Sequence, residues 1–162
     1  MRTKARWWVA LGMVAVLAVP TGAADTAPAH LAKGDTVQPF DAPGPDAVTR
    51  RVDFPKGSAT VLLFFLSGCP TCHKMIPEWN RAYERRSPKL NVIGVLMDRE
   101  PPGFFQHTRI AFPVVRSPGR EFLNAWKVQR VPLTVRVGPG GKVEEAQTGI
   151  IDPIRLGEIF RP

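Results

Sequence analysis

An α/β domain, with a central mixed β-sheet flanked by helices, is the fold class this sequence predicts. Three observations carry it. Val61 to Leu66 is an unbroken apolar run that stops at Ser67-Gly68, as a strand buried on both faces does. A helical stretch, Thr71 to Arg86, comes at once, with Pro70 at the first helical position, where a missing N–H costs nothing. Further apolar runs then alternate with helical spacing until a Pro139-Gly140-Gly141 turn and a last helix close the chain.

The N-terminal stretch stands apart. Arg2, Lys4 and Arg6 form a basic start, and Trp7 to Val19 is an apolar run of thirteen residues. Pro20-Thr21-Gly22-Ala23-Ala24 then supplies the small residues of a cleavage site. This is a secretory signal peptide by pattern, too short in its apolar part for an ordinary membrane span. Left uncleaved, it would serve as an anchor. No cysteine lies near the cleavage site, so a lipoprotein anchor is excluded. The expected organisation is a leader, residues 1–24, and one domain, residues 25–162, in a periplasmic or secreted protein.

Asp25 to Ala32 reads as a mobile lead-in. Val37 to Asp41 and Arg50 to Phe54 are short alternating segments around Pro43-Gly44-Pro45, the signal of a loose hairpin or edge strands. In the first helix Met75, Ile76, Trp79, Ala82 and Tyr83 fall on one side, a core stripe, and Pro77 predicts a kink. Ser87-Pro88 ends that helix. Leu90 to Met97 reads as a second buried strand and Pro101-Pro102 as the start of a short helix through Arg109. Phe112 to Val115 is a third strand. Arg120 to Lys127 is a helix with Phe122, Leu123 and Trp126 turned to the core. Val131 to Val137 and Lys142 to Ala146 are strands about the Pro139 turn. Asp152-Pro153 signals a capped final helix to Phe160.

Charge excludes one class of function. The 22 Lys+Arg against 14 Asp+Glu give +8. Loss of the leader removes three basic residues and no acidic one, leaving +5. The basic residues are scattered and form no stripe interleaved with aromatics, so nucleic-acid binding is not supported.

The two cysteines, Cys69 and Cys72, sit where the buried strand hands over to the helix. Free N–H groups and the helix dipole stabilise a thiolate at a helix N-terminus. A disulfide across so short a loop adds little stability, so a reactive pair explains the spacing better than a structural staple. The expected division is an exposed nucleophile, Cys69, and a less exposed resolving thiol, Cys72, passing through a mixed disulfide.

A strand, Cys69-Pro70-Thr71-Cys72, a helix containing Pro77 and a later Val131-Pro132 before a strand resemble the thioredoxin superfamily. Within it, the chain resembles the exported TlpA/ResA-like (redoxin) branch. Gly34-Asp35-Thr36-Val37-Gln38-Pro39-Phe40 is similar to that branch's opening. Phe112-Pro113-Val114-Val115-Arg116, Trp126 to Pro132 and Gly140-Gly141-Lys142-Val143 come in its order. The resemblance covers residues 33 to 160 and implies a thioredoxin-like fold with an N-terminal β extension and a helix–strand insertion. It implies that Pro132 is the cis-proline and that Val131 offers its backbone to an extended substrate. His73 and Lys74 add positive charge near the thiolate. Implied substrates are protein disulfides or dithiols, acted on reductively, for instance in apocytochrome c maturation. Electrons would come from a membrane thiol carrier of the DsbD or CcdA kind. No cofactor or metal is called for, and a monomer is expected. The chain departs from the pattern in three places: Gly68 replaces a tryptophan, while Met75 and Leu63 replace the two usual acids. That leaves His73, Glu78 or water to accept the Cys72 proton.

Cys69-Pro70-Thr71-Cys72-His73 also matches c-type haem attachment, with His73 and a methionine such as Met97 as ligands. A strand before the motif and the Val131-Pro132 segment oppose that reading; a Soret band would favour it. Zinc would need a fourth ligand besides Cys69, Cys72 and His73, with only His30 and His107 left as histidines. A peroxiredoxin would share the fold, but Leu66 stands three before Cys69 where that chemistry uses Thr or Ser.

Overall fold

The structure, a computed structural model, describes residues 30–162. The leader and most of the lead-in lie outside the described residues. A hairpin, β1 (Phe40–Pro43) and β2 (Thr49–Val52), pairs antiparallel with Phe40 opposite Val52. β3 (Thr60–Phe65) enters the centre of the main sheet with all its residues buried. Next come α1 (Pro70–Arg85), β4 (Asn91–Leu96), the single turn α2 (Phe104–His107) and β5 (Val114–Arg116). α3 (Arg120–Ala125), β6 (Leu133–Val137), a 3₁₀ turn at Pro139–Gly141, β7 (Val143–Thr148) and α4 (Pro153–Ile159) complete the chain. The sheet order is β5-β4-β3-β6-β7. β3, β4 and β5 run parallel, and β6 and β7 antiparallel to their neighbours.

Alternation along β3 divides the core. Val61, Leu63 and Phe65 face α1 and α4, packing with Met75, Trp79, Leu156 and Ile159. Leu62 and Phe64 face the hairpin and α3, packing with Phe40, Trp126 and Val128. Trp79 also spends its indole N–H inside the core, donating to Thr134 Oγ1 on β6 at 3.0 Å. That satisfies both groups where water cannot reach.

Several element bounds differ from the sequence expectation, each for a local reason. The short helix after Pro101 covers only Phe104–His107 and stops well before Arg109. Asn80 of α1 captures the chain beyond it: its Nδ2 donates to the Arg109 carbonyl and its Oδ1 accepts from the Ala111 N–H, both at 2.8 Å. The third strand begins at Val114, two residues late. Pro113 has no N–H to give the ladder, though its carbonyl accepts from Gly94 at 2.8 Å, and Phe112 turns into the core against Trp79. α3 ends at Ala125, because Lys127 takes a positive φ of 52°, while Trp126 stays buried. The segment at Val37 joins the β7 hairpin instead of β2, donating to the Gly141 carbonyl at 2.8 Å. β6 begins at Leu133, after a cis Val131–Pro132 peptide. The cap at Asp152 matches its signal, with Oδ1 accepting from Ile154 N and Arg155 N at 3.0 Å.

Gly141 has φ +85°, and a Cβ there would lie 2.2 Å from the Val37 carbonyl oxygen. Gly141→Ala should therefore lower the unfolding free energy by more than about 2 kcal/mol. Gly57, with open space around it, should change by less than about 0.5 kcal/mol on the same substitution. Urea midpoints at unchanged slope check both.

Candidate functional site

The β3–α1 junction places the two sulfurs. Cys69 is the N-cap of α1 in extended conformation, Pro70 occupies the first helical position, and the Cys72 N–H donates to Cys69 Sγ at 3.2 Å. The sulfur thus takes the place of the usual capping oxygen. Cys69 is half-buried, Cys72 fully buried, and both are free thiols. A Cβ at Gly68 would meet nothing within 4 Å, so the space beside Cys69 is open.

Burial pushes the Cys72 thiol up to about 12, helped by its hydrogen bond to Cys69 and by the charge of Asp98, with the Leu66 main chain opposing. Leu63 and Met75, at the two positions where resemblance would place acids, are both wholly buried. The Met75 sulfur instead accepts from the Ile151 N–H at 3.5 Å.

Asp98 is the residue that sequence reasoning passed over. β3 and β4 pair Phe65 with Leu96, so two residues further on Ser67 lies opposite Asp98. The carboxylate accepts from both the Ser67 N–H, at 2.9 Å, and the Ser67 hydroxyl, at 2.8 Å. The Ser67 carbonyl in turn accepts from His73 Nε2 at 2.7 Å. His73 Nε2 therefore carries a proton, and its ring sits edge-on to Phe104, with centroids 6.2 Å apart. A signal for Asp98 was present: an acidic residue directly after the carboxyl end of a buried parallel strand, where open α/β sheets gather their functional groups.

The other candidates divide by position. Pro132 is buried at the same end of the sheet as Cys69, since Leu133 pairs with Phe64. Val131 is half-buried and packs against the same cluster as Cys69. The Pro132 carbonyl accepts from Gly149 at 2.8 Å. Among the described residues, the Val131 N–H and C=O have no hydrogen-bond partner. Lys74 is exposed on the first turn and has no polar partner among the described residues. His107 places its Nδ1 on the Gly103 carbonyl at 2.7 Å. Among the described residues, no His, Cys, Asp and Glu gather in threes about a common point that could hold a metal, and no helix is long and apolar enough to cross a membrane.

A family model, Redoxin, matches residues 32–154. Thiol-disulfide oxidoreductase ResA of Bacillus subtilis (strain 168) is 26% identical over 158 residues, covering 92% of this chain and 88% of the relative. Sporulation thiol-disulfide oxidoreductase A of the same organism is 24% identical over 110 residues, 64% of this chain and 67% of that one. Among solved structures, StoA from Bacillus subtilis superposes with a TM-score of 0.66 at 20% identity, over 77% of this chain and 98% of its own. The thioredoxin domain of a thiol-disulfide oxidoreductase from Bacteroides vulgatus reaches 0.68 at 19% identity, over 80% and 98%. The fold is thioredoxin-like.

The raised Cys72 thiol has a consequence for stability. Its folded value lies above the usual thiol value of 9.0. The unfolded chain therefore releases this proton first, and the stabilisation is whole below about pH 9 and lost progressively toward about 12. Reduced wild type should lose more stability between pH 8.5 and 10 (roughly the window of the free thiol) than Cys72→Ala does. Urea unfolding of both at the two pH values checks this.

Proposed function

The chain belongs to the redoxin family, and from that premise we propose that it is an exported thiol–disulfide oxidoreductase that exchanges disulfides with protein clients through Cys69 and Cys72. One observation carries the reading. A half-exposed sulfur caps a helix and accepts a main-chain N–H, with a second, fully buried thiol one turn behind. Cys69 attacks a client disulfide; its sulfur bonds to one client sulfur while the other leaves as a thiolate. Cys72 then displaces the first client sulfur from Cys69, closing the Cys69–Cys72 disulfide and leaving the client reduced.

The client lies as an extended strand beside Val131. That residue's free main-chain groups suit β-type pairing, with Pro132 behind it. Ile150, 63% exposed and adjoining Gly149, widens the apolar rim. Lys74 contributes positive charge on the first turn, and His73 holds the Ser67 carbonyl. The leader pattern of residues 1–24 supports export, with residues 25–162 as the working domain. The direction is reductive, with a membrane thiol carrier of the DsbD or CcdA kind returning electrons to the pair, and the protein acts as a monomer without cofactor.

Two measurements test this. Cys72→Ser should accumulate mixed disulfides with clients through Cys69, and Cys69→Ser should accumulate none; equal capture by both, or none by either, overturns the exchange reading. A glutathione redox titration should place the pair near thioredoxin's about −270 mV, whereas a value near about −120 mV makes it an oxidant.

A further inference from the structure

Cys72 poses a problem that the exchange reading leaves open. It is wholly buried, and both places that resemblance assigns to an acid hold buried apolar residues, Leu63 and Met75. Yet resolution needs the thiol to lose its proton as it attacks. Asp98 reaches this region from the end of β4. Its carboxylate is bound twice by Ser67, two residues before Cys69, and its charge acts on Cys72. Ser67 leads through Gly68 to Cys69, whose Sγ accepts the Cys72 N–H at 3.2 Å. One short loop, Ser67 to Cys69, therefore holds both the carboxylate and the thiol pair, and the Ser67 carbonyl is closed off by His73.

We propose that Asp98 is the proton acceptor for Cys72 when the mixed disulfide on Cys69 is resolved, and that Ser67 positions it. This rests on the thiol-exchange reading. In the step, the Cys72 S–H bond breaks and its proton passes to the Asp98 carboxylate. The Cys72 sulfur bonds to the Cys69 sulfur, the bond from Cys69 to the client breaks, and the client leaves with that electron pair as a thiolate. The proton on Asp98 then returns to solvent. The charged and titratable groups around Asp98 are Cys72 on α1, Cys69 and His73 beyond Ser67, Arg99 beside it in the chain, and next Glu100 with its partner Arg116.

The test uses reduced full-length protein and the chromogenic disulfide DTNB in a stopped-flow instrument. Attack by Cys69 releases the first thionitrobenzoate, in a phase that depends on reagent concentration. Attack by Cys72 on the mixed disulfide releases the second, in a phase that does not. Without an acceptor, the thiolate fraction of Cys72 rises about tenfold per pH unit for as long as the thiol is mostly protonated. Wild type should show a second phase nearly flat from pH 6 to 8. Asp98→Asn should slow it at least about tenfold at pH 7 and make it rise with pH, leaving the first phase within about twofold. Ser67→Ala keeps the carboxylate and its main-chain bond, and should keep the flat profile. A second phase in Asp98→Asn that matches wild type overturns the assignment. So does a wild-type second phase that itself rises tenfold per unit, which decides the matter even if Asp98→Asn does not fold. Absence of the first phase in wild type would overturn the exchange reading, and this inference with it.

Discussion

Burial of β3 on both faces is the constraint on which the rest of the structure depends. A strand with no exposed face must have a neighbour on each edge and a layer on each side. β4 and β6 supply the edges, α1 and α4 one layer, the hairpin and α3 the other. Because the register is set by which side chains face which layer, a slip of one residue would turn Leu63 and Phe65 out of one core and Leu62 and Phe64 out of the other. The same register fixes what meets at the carboxyl end of the strand: Ser67 beside Asp98, and Pro132 beside the start of β6.

The thiols inherit their different characters from that end. The chain leaves β3 and enters α1 within a few residues, so one cysteine falls on the cap and the other inside the first turn. At the cap, the sulfur accepts the Cys72 N–H and borders open space. One turn later, the sulfur is buried in the cluster of the α1 core stripe, out of reach of water. Identical side chains three residues apart thus differ in exposure by geometry alone, which is what a nucleophile and a resolving thiol require.

Several polar groups near the site tie its segments together. Ser67 uses its N–H, hydroxyl and carbonyl at once. Asn80 ties the loop after α2 to α1 with both ends of its amide. Arg116 Nη1 donates to the Gly44 carbonyl at 2.6 Å, fastening the hairpin to the edge strand. By contrast, the exposed pairs Arg50–Asp46 and Arg51–Asp41 are of the kind that contributes about 0–1 kcal/mol each. The rigidity of the site comes from buried apolar packing and these half-buried hydrogen bonds, and little of it from surface charge.

Apolar runs, turn residues and caps act locally, and the sequence alone determined what depends on them: the α/β class, the central strand, the start of α1 at Cys69-Pro70, the Asp152 cap and the placing of Cys69 and Cys72 three residues apart across that cap. The Val131-Pro132 step and the redoxin likeness were legible too, because they are carried by order along the chain. What the tertiary structure decided depends on contacts between distant segments. Asn80 cut α2 short from 29 residues away, measured to the Arg109 carbonyl it holds. Val37 left its expected hairpin for Gly141, whose missing Cβ lets the two backbones touch. Asp98 came to lie against Ser67, 31 residues earlier in the chain. No window of sequence contains such a pair; only strand register brings a carboxylate after one strand beside the cysteines after another.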